Sequence, residues 1–177
     1  MKRSELEHVL RAAATIADDP NVLVIGSQSI LGTADERQLP PQATASMEVD
    51  VAFFDDAFND KSDLVDGAIG ELSPFHETNG YYAQGVSVTT AKLPRGWRDR
   101  LTVIETDSSA AGRGLCLEAH DCVVAKLVAG REKDFAFAAA LLDSGIVERT
   151  LLAERLATVE DAHEVAISRA SQWLAAY

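Results

Sequence analysis

The sequence predicts an α/β protein: a small mixed β-sheet flanked by helices, followed by a C-terminal helical part. Three observations predict it. Strand-length runs rich in branched residues, Val22-Leu23-Val24-Ile25 and Met47 to Phe54, alternate with amphipathic segments in the first part of the chain. From Leu117 onward helical periodicity continues almost to the end. A length of 177 residues suits one domain, 1–177, divided into a sheet core over 22–115 and C-terminal helices over 116–177. An apolar fraction of 47% with 25% charged residues is that of a chain able to bury a core, which excludes an intrinsically disordered protein.

Taken in order, Ser4-x-x-Glu7 has the form of a capping box, and Leu6, Val9, Leu10, Ala13 and Ile16 then recur at helical spacing, predicting a helix over 4–18. Val22 to Ile25 reads as a buried strand that ends at Gly26. Ser27 is placed to cap a short helix through Leu31, and a loop over about 33–45 follows, broken by Pro40-Pro41. Met47 to Phe54 alternates as a strand, with Glu48, Asp50 and Ala52 on one face and Val49, Val51 and Phe53 on the other. Ser62 to Leu72 reads as a helix. Asn79-Gly80, between Phe75–Thr78 and Tyr81–Val88, carries a hairpin signal. Leu101 to Thr106 is a further strand. Helices are then expected over 118–129, 133–142 (with Gly130 between them), 146–156 and from the Thr158-x-x-Asp161 cap to about 175.

No apolar run approaches the roughly 18 residues that a bilayer-spanning helix needs, and the N-terminus lacks an apolar signal region, so a cytosolic protein with no membrane partner is expected. Cys116 and Cys122 are too few for a disulfide framework and read as small buried residues. The formal charge of −12 repels nucleic acid on average. Between Lys92 and Lys133, however, eight basic residues face six acidic ones, a cationic middle suited to an anionic ligand such as phosphate.

The chemistry-bearing residues lie at the ends of the two clearest strands. A strand ending in Gly26-Ser27 and opening a helix presents backbone N–H groups and a hydroxyl outward, a ready phosphate cradle that is equally an ordinary glycine turn. Glu48-x-Asp50 adds two carboxylates about 7 Å apart on one strand face, a pair that binds a divalent metal and repels itself when unneutralised. Together they point to metal-assisted phosphoryl chemistry.

These residues carry a resemblance. Gly26-Ser27 followed by Glu48-Val49-Asp50-Val51 resembles the hG[GS] and [DE]h[DE]h pattern of the polymerase-beta-like nucleotidyltransferases. The stretch Leu117-Glu118-Ala119-His120-Asp121-Cys122-Val123-Val124-Ala125-Lys126-Leu127 and on to Arg131-Glu132-Lys133-Asp134 is similar to a signature of uncharacterised nucleotidyltransferase-like domains, distantly related to abortive-infection toxins of toxin–antitoxin pairs. Leu93-Pro94-x-Gly96-Trp97-x-x-Arg100-Leu101 also looks like that group. The resemblance spans roughly residues 22–142. It implies a sheet of the nucleotidyltransferase type, catalytic and metal-ligating Glu48 and Asp50, nucleotide binding by Gly26, Ser27 and Lys126, and Mg²⁺ or Mn²⁺ with an NTP as substrate. RNA or a protein is the implied acceptor, and a cognate antitoxin the implied partner.

The chain departs from the pattern in three places. Glu48 stands where Asp is commoner, Ser27 and Glu48 are far apart, and no third carboxylate occurs on the expected strand Val86 to Thr89. Glu77 and Glu105 are the substitutes on offer. Two readings follow: a nucleotidyltransferase, or a catalytically inactive binding or regulatory module on the same fold. Arg131-Glu132-Lys133-Asp134 reads as a solvated ion-pair turn capping the next helix; along one helix Arg131 would lie about 140° round from Lys126, whereas Lys133, about 20° round, shares its face. His120 and Asp121 point about 100° apart on a helix, which argues against shared acid–base work. Trp97, Tyr81 and Tyr82 are aromatic candidates for base stacking or for cross-strand packing.

Overall fold

Helix α1 (Arg3–Ala17) forms because Leu6, Val9, Leu10 and Ala13 line one side and are all fully buried. The computed structural model describes residues 1–106, 112–160 and 162–177. In it α1 begins one residue before the expected box. The cap position is Lys2, whose backbone N–H donates to Glu5 Oε2 at 2.7 Å. Strand β1 (Asn21–Val24) leads into a six-residue 3₁₀ helix, Ser27–Gly32, whose cap position is Gly26 rather than Ser27 and carries no side-chain bond. After the 3₁₀ turn Pro41–Ala43 come β2 (Glu48–Ala52), α2 (Asp60–Ile69) and α3 (Pro74–Asn79).

Helix α3 replaces the expected hairpin. Ser73 accepts a hydrogen bond from the His76 N–H, Pro74 follows at the first helical position, and Gly80 closes the helix in the left-handed region at φ 76°. Asn79-Gly80 is thus a helix stop, with Asn79 Nδ2 donating to the Phe75 carbonyl at 2.8 Å. The strand beyond it, β3 (Tyr82–Gly85), pairs in parallel with β2, which a two-residue turn cannot arrange. Strands β4 (Thr102–Glu105) and β5 (Arg113–Cys116) complete the sheet. Its order is β3-β2-β1-β5-β4, with β1–β2 and β4–β5 antiparallel and β1–β5 and β2–β3 parallel. The mixed sheet flanked by helices is the architecture expected. Strand β5 was not; four residues containing Gly114 show no alternation to read.

Register sorts the side chains. Val24 lies beside Val51 and Cys116, and Val49 beside Ala83, so these share the face on which α1, α2 and the 3₁₀ helix pack. Added Cβ atoms show how closely: at Gly114 one would meet Leu10 at 2.6 Å, and at Gly85 the Ser62 carbonyl at 1.9 Å. The other face carries Glu48 and Asp50 on β2 with Tyr82 and Gln84 on β3.

The C-terminal part is helical as expected: α4 (Ala119–Ala129), α5 (Glu132–Asp143), α6 (Arg149–Leu156) and α7 (Glu164–Ala176). Gly130, at φ 67°, ends α4 and lets α5 leave in a new direction. Thr158 ends α6 instead of opening α7: its hydroxyl donates to the Arg155 carbonyl at 2.7 Å, and the α7 cap is His163. Asp161, the other half of that expected cap, lies outside the described residues.

Candidate functional site

A cleft of about 590 Å³ opens over the acidic face of the sheet, a volume within the range of small-molecule sites. Gly26 and Ser27 reach it from the end of β1, Glu48 and Asp50 from β2, and Lys126 from α4. All five site residues expected from the sequence therefore line one cavity, although about 100 positions separate the first from the last. The long segment after the 3₁₀ helix folds back over it, contributing Gln42 and Ser46.

The carboxylates are packed tightly. Val49 and Val51 are fully buried, which turns Glu48 and Asp50 outward into the cleft. Burial pushes the Asp50 carboxyl above its usual range; the like charge of Glu48 adds to that, and Lys126 opposes it. A Cβ at Gly26 would lie 1.7 Å from Asp50 Oδ2, so only glycine lets the β1 turn approach this carboxylate. Tyr82, in register with Glu48 on β3, donates its hydroxyl to Glu48 Oε2 at 3.0 Å. Burial and that bond raise the phenol to about 12, so it stays a donor.

The cationic side holds a correction. Lys126 and Arg131 are not on opposite sides of one helix, because α4 stops at Gly130 and Arg131 is already the cap position of α5. Arg131 lines the same cleft as Lys126, and so does Lys133. The Arg131–Asp134 turn caps α5 as expected, with Arg131, Glu132 and Lys133 exposed, but its acid is not solvated. Asp134 is 1% exposed, accepts from Arg131 Nε at 2.7 Å and Nη2 at 3.1 Å, and lies 3.7 Å from Lys126 Nζ. Burial works against its charge, but those partners outweigh it and hold the carboxyl below its usual range. The lysine, with a side chain 15% exposed, is likewise no surface group.

Glycine-serine turn, paired carboxylates and a basic helix junction thus meet in one place, and residues 4–173 match DUF6036, described as a nucleotidyltransferase of unknown function. The chain belongs to that family. No curated protein and no solved structure matches it.

Within this nucleotidyltransferase-like frame the acid complement is short. The strand beside β2 is Tyr82–Gly85, earlier than the Val86–Thr89 segment expected, and the residue in register with Asp50 is Gln84, which lines the cleft. Neither substitute acid lines the cleft. Glu77 lies on α3, and Glu105 is exposed on β4, the far edge of the sheet. Among the described residues no three acidic, histidine or cysteine side chains group to hold a metal by themselves. Glu48 and Asp50 still fit Mg²⁺, which is commonly held by one or two carboxylates with substrate phosphates and water filling its shell, and a cation there would relieve the repulsion acting on Asp50.

The remaining candidates are structural. His120 Nε2 accepts from the Glu148 N–H at 3.0 Å, which leaves the proton on Nδ1 for Glu118, 2.8 Å away. Asp121, fully buried, accepts from Arg100 Nε at 2.8 Å and from Arg155 Nη1 at 2.9 Å. Tyr81 packs on His8 and Phe75, and Trp97 stacks on Phe54 at 6.0 Å, whereas Tyr82 does face a cross-strand partner, Glu48. Both cysteines are buried and free.

Proposed function

We propose that the protein is a metal-dependent nucleotidyltransferase that binds an NTP with Mg²⁺ or Mn²⁺ in this cleft and transfers its NMP group to RNA or protein. The observation that carries the proposal is the convergence of Glu48 and Asp50 with Lys126 and Arg131 across one cleft beside Gly26-Ser27. Bound to the two carboxylates, the metal would neutralise charge on the triphosphate and on the displaced pyrophosphate. The backbone and hydroxyl of Ser27 would receive phosphate oxygens, and Lys126 and Arg131 would offset their charge from the opposite wall. Tyr82 would keep the Glu48 carboxylate aimed.

Gln84 favours a second reading, a nucleotide-binding module without turnover, because an amide in register with Asp50 cannot take a proton from an acceptor. One experiment separates the two. Calorimetry with each of the four NTPs and Mn²⁺ is expected to show binding that weakens at least tenfold in Asp50→Asn. The same samples, supplied with α-labelled NTP and cell extract, are expected to label an acceptor. Binding without labelling supports the module, and absence of binding by every NTP sinks both readings. The toxin role that the resemblance implies has its own test: expression of the wild-type chain arrests growth and that of Asp50→Asn does not. Growth without arrest removes that role and leaves the chemistry standing.

A further inference from the structure

We infer that the acceptor in this cleft attacks through a phosphate monoester, an oxygen that carries no proton to be removed. The inference rests on the nucleotidyltransferase reading above and concerns the substrate class of the same site. Its starting point is what each cleft acid is already engaged in. Glu48 and Asp50 are the carboxylates available to a metal. Asp134 is buried and surrounded by donors, with both oxygens taken by Arg131 and Lys126 alongside. Among the described residues lining the cleft, no further carboxylate and no histidine is left to act as a base. A hydroxyl acceptor needs one, since base assistance contributes about 10²–10⁴-fold.

What stands in that place is complementary to an anion. Gln84 lines the cleft on the strand next to Asp50, and its amide NH₂ is a donor where a carboxylate would repel. Lys133, on the first turn of α5, lines the same cavity, and none of the ion pairs among the described residues includes it. Lys126 and Arg131 serve the triphosphate in the reading above, so Lys133 is the cation left to meet a second anionic group. A phosphate monoester is already ionised at neutral pH and suits both donors.

The step balances without a base. A monoester oxygen attacks the α-phosphorus of the NTP and forms a new P–O bond. The bond from that phosphorus to the oxygen bridging to the β-phosphorus breaks, and its electron pair leaves with pyrophosphate. The product is a phosphoanhydride, and no proton moves.

The test uses the full chain with Mn²⁺ and α-labelled NTP, and acceptors offered in pairs that differ only in the phosphate: AMP against adenosine, and a 5′-phosphorylated oligoribonucleotide with a blocked 3′ end against its 5′-hydroxyl twin. Label is expected on the phosphorylated members at least about 100-fold faster than on their twins. The product should resist phosphatase and yield to a nucleotide pyrophosphatase. Calorimetry of AMP binding to the Mn²⁺–NTP complex should show at least a tenfold loss in Lys133→Ala. Gln84→Glu should reverse the preference toward hydroxyl acceptors, a change that a merely structural role would not produce. Equal or greater labelling of the hydroxyl twins overturns the inference, and so does NTP binding without labelling of either phosphorylated acceptor. Absence of NTP binding removes the underlying nucleotidyltransferase reading, and this inference falls with it.

Discussion

Asp50 and Glu48 show how single side chains set a site whose like charges crowd together. Gly26 gives Asp50 room, since any Cβ there would overlap the carboxylate, and the Tyr82 hydroxyl holds Glu48 from the neighbouring strand. A tyrosine that only fills space would be replaceable by phenylalanine at no cost to the site. Because its hydroxyl orients a carboxylate available to metal, Tyr82→Phe should instead weaken Mn²⁺ affinity about tenfold, measured by calorimetry, while the far-ultraviolet dichroism stays unchanged. Gln84 belongs to the same scale: in the reaction we propose, one amide beside Asp50 would set which acceptors the cleft serves.

Among the elements, α4 is held at both ends by charge. At its start Glu118 and Asp121 are clamped by Arg155 from α6, and Asp121 also by Arg100 from the 3₁₀ turn Trp97–Arg100 before β4, and at its end Lys126 meets Asp134. The Glu-x-x-Asp part of the family-like signature is therefore a docking device, and it is the later Lys126, Arg131, Lys133 and Asp134 that reach the cleft. Removing Arg155 leaves the fully buried Asp121 with Arg100 as its remaining cation, so Arg155→Ala should cost about 1.5–3 kcal/mol in urea unfolding, with the loss coupled to Asp121 in a double-mutant cycle. The network also gives the fold a pH signature. Burial works against the Glu118 charge, but bonds from His120 and Arg155 prevail and hold it at about 2, below its ordinary value of 4.5. Its stabilising contribution is complete above pH 4.5 and is lost as the pH falls toward 2. Glu118→Gln should flatten the melting-temperature profile across that window and leave its slope near neutrality unchanged.

At the scale of the molecule, the sheet brings together a turn after β1, two residues of β2 and a helix junction beyond residue 125, so ligand binding should register as global stability. Mn²⁺ with an NTP at about 100 times its Kd should add about 2.7 kcal/mol, which for a chain of this size raises the melting temperature by roughly 5–10 °C. A scan showing no rise in Tm with any NTP would contradict the proposed site. None of the helices among the described residues is long and apolar enough to cross a membrane. The chain's −12 charge does not extend into the cleft, where three cations sit beside three acids.

The sequence by itself determined the parts that local periodicity encodes: the buried side of α1, the alternation that turns Glu48 and Asp50 to one face, and the helical run after residue 117. The family-like motifs placed Gly26, Ser27 and Lys126 in one site before any distance was available. What tertiary structure alone decided depends on pairing between distant segments. That Tyr82–Gly85 pairs in parallel with β2 could not be read locally, and that register alone identifies Gln84 as the neighbour of Asp50. Arg131 reached the cleft for the same kind of reason. A helical wheel carries one axis past Gly130, whereas the left-handed residue there breaks it and aims the next helix start, with its guanidinium, at the carboxylates.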